Sequence, residues 1–302
     1  MREALQASMK VGIVHFMAYP ETIKGDGPVV ETVRRIAEDD FFGAIEITRV
    51  NDPAARKEVA AILAQAHLTV GYGAQPILLV QKLNLNAFDQ RERQQAVDAV
   101  KAAVDEAYQL HAGALAVLSG PDPKERRGEA MRLLVDSLNQ ICAHAKQQGP
   151  MRIILETFDR EIDKQCLIGP HTDAVKVSAA VRKRFKDFGL MLDLSHLPLQ
   201  GETPKQAFKT AKAHIAHIHI GNCVLEAGHP VYGDQHPRFG IAGGENDVPE
   251  LVRFLKELFL IGYLGKGKHP IVAFEVKPMA GESSEAVIAG AKRTLLEAWV
   301  RV

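Results

Sequence analysis

The chain has no surplus of either charge: 37 lysines and arginines stand against 37 aspartates and glutamates. A protein that grips phosphate backbones shows a basic excess, so no nucleic-acid partner is expected. No apolar run approaches the roughly 18 residues that cross a bilayer. The N-terminal MREALQASMKVGIVHFM lacks an apolar segment followed by a small-residue cleavage site, so neither a membrane partner nor a signal peptide is expected. Cysteine is scarce: Cys142, Cys166 and Cys223 form no CxxC pair and cannot all be paired within the chain. That pattern fits a reducing cytoplasm. No GxGxxG follows the first apolar run, which argues against a dinucleotide-binding sheet. Linkers, low-complexity tracts and charge blocks are absent, so one domain is expected.

What is present is repetition. A short β-branched run, a polar loop and an amphipathic stretch recur eight times. The strands are predicted at Val11–Phe16, Ala44–Thr48, Leu68–Tyr72, Ala114–Leu118, Arg152–Glu156, Leu190–Leu194, Ile215–Ile220 and Ile271–Val276. Helices are predicted after each, about Pro28–Asp40, Pro53–Ala66, Ala87–His111, Pro123–Gln148, His171–Phe185, Thr203–Lys212, Pro249–Ile261 and Ser284–Trp299. Asp52-Pro53 and Thr203-Pro204 read as N-cap followed by N1. Strands alternating with helices imply a parallel sheet, and eight units close it into an α/β fold of the (β/α)8 TIM-barrel type. The expected division is a loose N-terminal extension over residues 1–9 and a single barrel over residues 10–302.

In such a barrel the C-terminal ends of the strands ring one mouth, so the residue that ends each strand carries the functional information. The last four strands are the informative ones. Their ends read Ile-Leu-Glu156, Met-Leu-Asp193, His-Ile-His219 and Ala-Phe-Glu275, with His196 three residues after Asp193. Each places a carboxylate or an imidazole at the end of an apolar run, where burial is costly without a partner. Convergence on a divalent cation would supply that partner. Three carboxylates and one imidazole favour Mn²⁺ or Mg²⁺ over structural Zn²⁺, with Co²⁺ and catalytic Zn²⁺ left open. His217 points to the same side as His219 but two residues deeper, and reads as a core histidine.

After the seventh strand comes a long Gly- and Pro-containing loop carrying His229, Tyr232, Asp234, His236 and Arg238. His196, Asp234 and His236 are expected to contact substrate hydroxyls, with a second cation on the same three side chains as the alternative. Arg238, Lys277 and Gln75 complete the expected substrate contacts, and Lys164 is a further cation within reach of an anionic group. No P-loop is present, so an unphosphorylated substrate is expected.

At these residues the sequence resembles the xylose isomerase-like TIM-barrel superfamily, in its sugar (phosphate) isomerase/epimerase group. The matching motifs are ILE156, LD193LSH196, HIH219IGN and AFE275. The resemblance implies Glu156, Asp193, His219 and Glu275 as metal ligands and His196 as a substrate contact. It also implies a carbohydrate substrate, and a chemistry in which Glu156 and Glu275 pass a proton on opposite faces of an enediolate next to a polarised carbonyl. Family members are often homo-oligomers, and the long loop is compatible with a bulky substrate or a small partner subunit.

The chain also departs from its relatives. Where ketose 3-epimerases carry a Glu and an Arg after the seventh strand, it has Asn222-Cys-Val-Leu225. Asp234-Gln-His236 and His196 resemble elements of endonuclease IV-type enzymes, yet Gln75 and Ser119 stand where those enzymes place zinc-binding histidines. The expectation is therefore a metal-dependent sugar isomerase or epimerase. A lyase acting by elimination on a 3-oxo-sugar or 3-oxo-C-glycoside is the alternative, ahead of a non-catalytic sugar-binding barrel or a nuclease.

Overall fold

A computed structural model describes residues 3–302. Eight strands alternate with helices: β1 Lys10–Ile13, β2 Ala44–Ile47, β3 Thr69–Gly73, β4 Ala114–Leu118, β5 Arg152–Glu156, β6 Gly189–Asp193, β7 Ile215–Gly221 and β8 Ile271–Glu275. All ladders are parallel and run in the order β1-β8-β7-β6-β5-β4-β3-β2. The remaining seam, β1 to β2, is held by a parallel bridge between Val14 and Glu46. There the Gly43 N–H also donates to the Val11 carbonyl at 2.9 Å. The result is a nearly closed TIM barrel. Its core is a continuous apolar shell between strands and outer helices, with fully buried Phe208, Phe254, Leu134 and Leu255. Ala116, Ile154 and Met191 form a separate small cluster on β4, β5 and β6.

Most predicted helices form within a few residues of their expected limits, for local reasons. Asp52 accepts the Ala54 N–H at 3.0 Å, with Pro53 at the first helical position. Thr203 and Gln206 close a capping box, as do Asp247 and Glu250. Three differences follow from context. The first strand ends at Ile13 rather than Phe16, because His15–Ala18 turn into a short helix. Short helices at Gln75–Val80 and His196–Gln200 occupy what read as loops. The extension is packed rather than loose over its described part: Leu5 and Met9 are buried, and the Trp299 indole N–H donates to the Glu3 carbonyl at 3.1 Å. No described helix is long and apolar enough to cross a membrane.

One irregularity sets the register of the functional end. On the β6–β7 ladder Leu190 pairs with Ile215, but Met191 pairs with His217, so Ala216 is an extra residue. This bulge puts His219 directly beside Asp193. Gly189 makes it sterically feasible, since a Cβ there would lie 2.2 Å from the Ala216 Cβ. Gly189→Ala is expected to cost about 1–3 kcal/mol in denaturant unfolding. Gly113→Ala, whose Cβ would meet nothing within 4 Å, is expected to stay within about 0.5 kcal/mol of the native chain.

Candidate metal centre

Glu156, Asp193, His219 and Glu275 are brought together at the mouth, each offering an atom within 4.8 Å of the others'. Hydrogen bonds from outside the group leave one atom of each facing the others. Gln75 Nε2 donates to Glu156 Oε2 at 2.7 Å, and the Ser195 N–H donates to Asp193 Oδ1 at 2.6 Å. Glu156 Oε1 and Asp193 Oδ2, both buried, have no hydrogen-bond partner. These two oxygens lie 3.8 and 3.9 Å from His219 Nδ1, which sits 2.6 Å from Glu275 Oε2. Two orphaned carboxylate oxygens, a third carboxylate and one ring nitrogen converging in a buried space fit a divalent cation.

The proton affinities carry the strain of this crowding. Burial, reinforced by the Glu275 charge, pushes Glu156 up to about 8. Burial likewise raises Asp193. Glu275, although buried too, is held down at about 2 by the His236 and His219 imidazoles beside it. His219 is raised well above the usual imidazole value: burial opposes its charge, but Glu46 and Glu275 outweigh that.

A second group adjoins the first. His196 Nδ1 bonds to the Thr157 carbonyl at 2.8 Å, while its Nε2 lies 3.2 Å from Asp234 Oδ1. His236 Nε2 is 2.8 Å from the same oxygen and 3.5 Å from Glu275 Oε1. Asp193, His196 and His236 also offer atoms close enough to share a cation. Lys164 Nζ stands 3.0 Å from Asp234 Oδ2, a fixed positive charge on the same carboxylate. The loops after β5 and β7 are locked together here, because the Asp234 N–H donates to Asp163 Oδ2 at 2.8 Å.

The other expected contacts fall at different depths. Gln75 is buried in the cluster against Glu156. Arg238 is turned to the surface, where its Nε donates to Glu282 at 2.9 Å. Lys277 is half-buried and joins the cluster only through its backbone N–H, which donates to the His236 carbonyl at 2.7 Å. His15 bonds Thr32 at 2.8 Å and is driven down to about 3 by burial, away from any of the cation-binding groups. Asp159 caps the N–H groups of Ile162, Asp163 and Lys164, and Ser119 Oγ accepts the Ile168 N–H at 2.9 Å. Cys223 is buried and unpaired.

Sequence reasoning gave Glu46, the carboxylate carried by the second strand, no role. It is 4% exposed and bonded by both strand-seven histidines. The signal was a lone carboxylate inside the apolar run Ala-Ile-Glu-Ile of β2.

The family described as xylose isomerase-like TIM barrel matches residues 33–265, and the chain belongs to it. No curated protein sequence matches the chain. Among solved structures it is similar to a D-tagatose 3-epimerase-like protein, at 18% identity and a TM-score of 0.71, covering 97% of this chain and 99% of that one. It is also similar to an IolI protein carrying a zinc atom, at 18% identity and a TM-score of 0.73, with coverage of 97% and 99%. A third is 3-keto-D-glucoside 4-epimerase YcjR from E. coli, at 18% identity and a TM-score of 0.65, with coverage of 97% and 99%. At such identities these likenesses establish the fold.

A cation can enter the four-residue cluster only as protons leave it, since Glu156 and His219 both hold theirs near neutral pH. With proton affinities raised in the metal-free protein, deprotonation becomes easier as pH rises, so affinity must rise with it. Mn²⁺ is expected to bind more tightly at pH 8 than at pH 6, with net proton release. Calorimetry in two buffers of different ionisation heat checks both, and a pH-independent affinity would contradict the assignment.

Proposed function

We propose that this chain is a divalent-metal-dependent isomerase or epimerase acting on a sugar or sugar derivative. The observation that carries the reading is the pair of buried glutamates, Glu156 on β5 and Glu275 on β8, that offer oxygens to one group of ligand atoms. The family membership and the sugar epimerases among its structural neighbours support it. Glu156, Asp193, His219 and Glu275 would hold the ion, with Mn²⁺ or Mg²⁺ suiting the oxygen-rich donor set. When bound, the ion supplies Lewis-acid polarisation of a substrate carbonyl, which acidifies the adjacent C–H.

The protein's own groups do the rest. Glu275, held low by two imidazoles, is ionised at neutral pH and suited to take the proton. Glu156 is the second glutamate of the group and would supply a proton from the other side. Gln75 fixes the Glu156 carboxylate through Oε2, leaving Oε1 toward the reacting centre. His196, Asp234, His236 and Lys164 line the adjoining space with donors and acceptors suited to sugar hydroxyls. Arg238 and Lys277 would reach a substrate only from outside the buried cluster.

A second reading has a specific observation behind it. His236, raised to about 9 by Glu275 and Asp234 against the effect of burial, is a proton-bearing group 3.5 Å from Glu275. Such an acid suits the departure of an oxygen leaving group, so elimination on a 3-oxo-sugar uses the same first step.

A metal-supplemented screen of ketoses, aldoses and 3-oxo-glycosides in deuterated water, followed by NMR, separates the two. An isomerase introduces solvent deuterium at one carbon with the skeleton intact, whereas a lyase releases water or an aglycone. At saturating metal, Glu156→Gln and Glu275→Gln are expected to lower kcat by about 10²–10⁴-fold. Full turnover in either variant would sink the two-glutamate assignment.

A further inference from the structure

We infer that Glu46, reaching from β2 to β7 inside the barrel, is a positioning residue that presents Nδ1 of His219 to the metal site. The inference deepens the metal-dependent reading above and rests on it. An imidazole has two nitrogens, and a neutral one keeps a lone pair on only one of them. His219 Nε2 lies 3.0 and 3.1 Å from the two oxygens of Glu46, while Nδ1 faces Glu275, Glu156 and Asp193. An ionised carboxylate can only accept, so the Nε2 proton is committed to Glu46. The lone pair that a cation needs is then left on the side where the free carboxylate oxygens converge.

Glu46 is itself held in place. His217 Nε2 lies 2.7 Å from Oε1, so one carboxylate gathers both histidines of His-Ile-His. Gly71 on β3 makes the room: a Cβ there would sit 3.0 Å from Glu46 Cγ. The β6–β7 bulge brings His217 level with Met191 and His219 level with Asp193. Thus His217 bonds Glu46 below the cluster while His219 joins it. A carboxylate with 4% exposure needs such partners, yet His217 alone would serve for solvation. Contact of both oxygens with His219 goes beyond that need. It matches the general arrangement in which a carboxylate fixes the tautomer and ring orientation of a metal-binding histidine.

The test measures metal binding rather than turnover. Mn²⁺ affinity is titrated by electron paramagnetic resonance for the native chain, Glu46→Gln, Gly71→Ala and the ligand variant Asp193→Asn. The His219 tautomer is read by ¹H–¹⁵N NMR in zinc-loaded protein. Glu46→Gln is expected to bind Mn²⁺ about 10–100-fold more weakly and to lose the single Nε2-protonated tautomer. Gly71→Ala crowds Glu46 without altering charge and is expected to weaken binding in the same direction by less. It carries the test should Glu46→Gln fail to fold. Native affinity and an unchanged tautomer in Glu46→Gln, with binding lost in Asp193→Asn, would overturn the inference and leave the four-ligand reading standing. Native affinity in Asp193→Asn would remove that reading and this one with it. A second equivalent of metal, lost on His217→Gln, would also overturn it, because Glu46 and His217 would then be ligands.

Discussion

His219 is held between opposing carboxylates, and the barrel mouth is arranged around that fact. Its Nε2 meets Glu46 and its Nδ1 meets Glu275, with Glu156 and Asp193 close behind. Carboxylates this crowded and this dry cannot all be ionised without compensating positive charge. The imidazoles of His196, His219 and His236 and the Lys164 ammonium supply part of it. The residual imbalance shows in Glu156 and Asp193, both pushed up, and in their unpartnered oxygens. Those oxygens mark where a further positive charge belongs. The fold serves this end: the β6–β7 bulge, Gly189 and Gly71 exist at the points where the carboxylates and histidines must approach closely.

Much of this was legible in the chain, because strand ends announce themselves. An acidic or imidazole side chain closing an apolar run is a local pattern, and four consecutive strands show it at Glu156, Asp193, His219 and Glu275. Glu46 shows the limit of that logic. It lies within β2, and its partners are 171 and 173 residues away, so no local feature names them. His217 was legible as a core histidine by its depth, but not the carboxylate it serves. Arg238 illustrates the opposite limit. A cation in a loop rich in functional residues invites a role, whereas Glu282 sits 44 residues on and draws it to the surface. The helices at Gln75–Val80 and His196–Gln200 were hidden by brevity, since five or six residues hold too little periodicity to declare a face.

The loop after β7 gains its shape from tertiary partners rather than from its own sequence. Val224 bridges antiparallel to Gly233 and to Gly244, folding the segment back on itself. Asp163 then receives the Asp234 N–H and the Gln235 side-chain amide at 2.8 and 3.2 Å. Asp163 is in turn reached by the Asp159-capped turn after β5. The consequence is that Asp234 and His236, although loop residues, are as buried as the strand-end residues of the cluster. His229 and Tyr232, on the same loop, remain more open. The inner part of the loop is thus tied down by contacts to the turn after β5.

The position of His236 bears on which reaction the mouth favours. Proton removal beside a carbonyl is common to isomerisation and elimination, so the outcome depends on where the next proton is delivered. Epimerisation at one carbon needs an acid on the face opposite the base, the task proposed above for Glu156, whereas aldose–ketose isomerisation can use the base itself. Delivery to a departing oxygen needs an acid within reach of that oxygen, and His236 lies 3.5 Å from Glu275. Two features pull His236 toward the first outcome. Glu275 and Asp234 stabilise its charged form, which makes it a reluctant donor, and Ser195 Oγ at 3.3 Å occupies its other nitrogen. A group whose proton is held that firmly is better suited to orient a hydroxyl than to release it to a leaving group. These contacts support the proposed isomerase or epimerase reading over the elimination alternative.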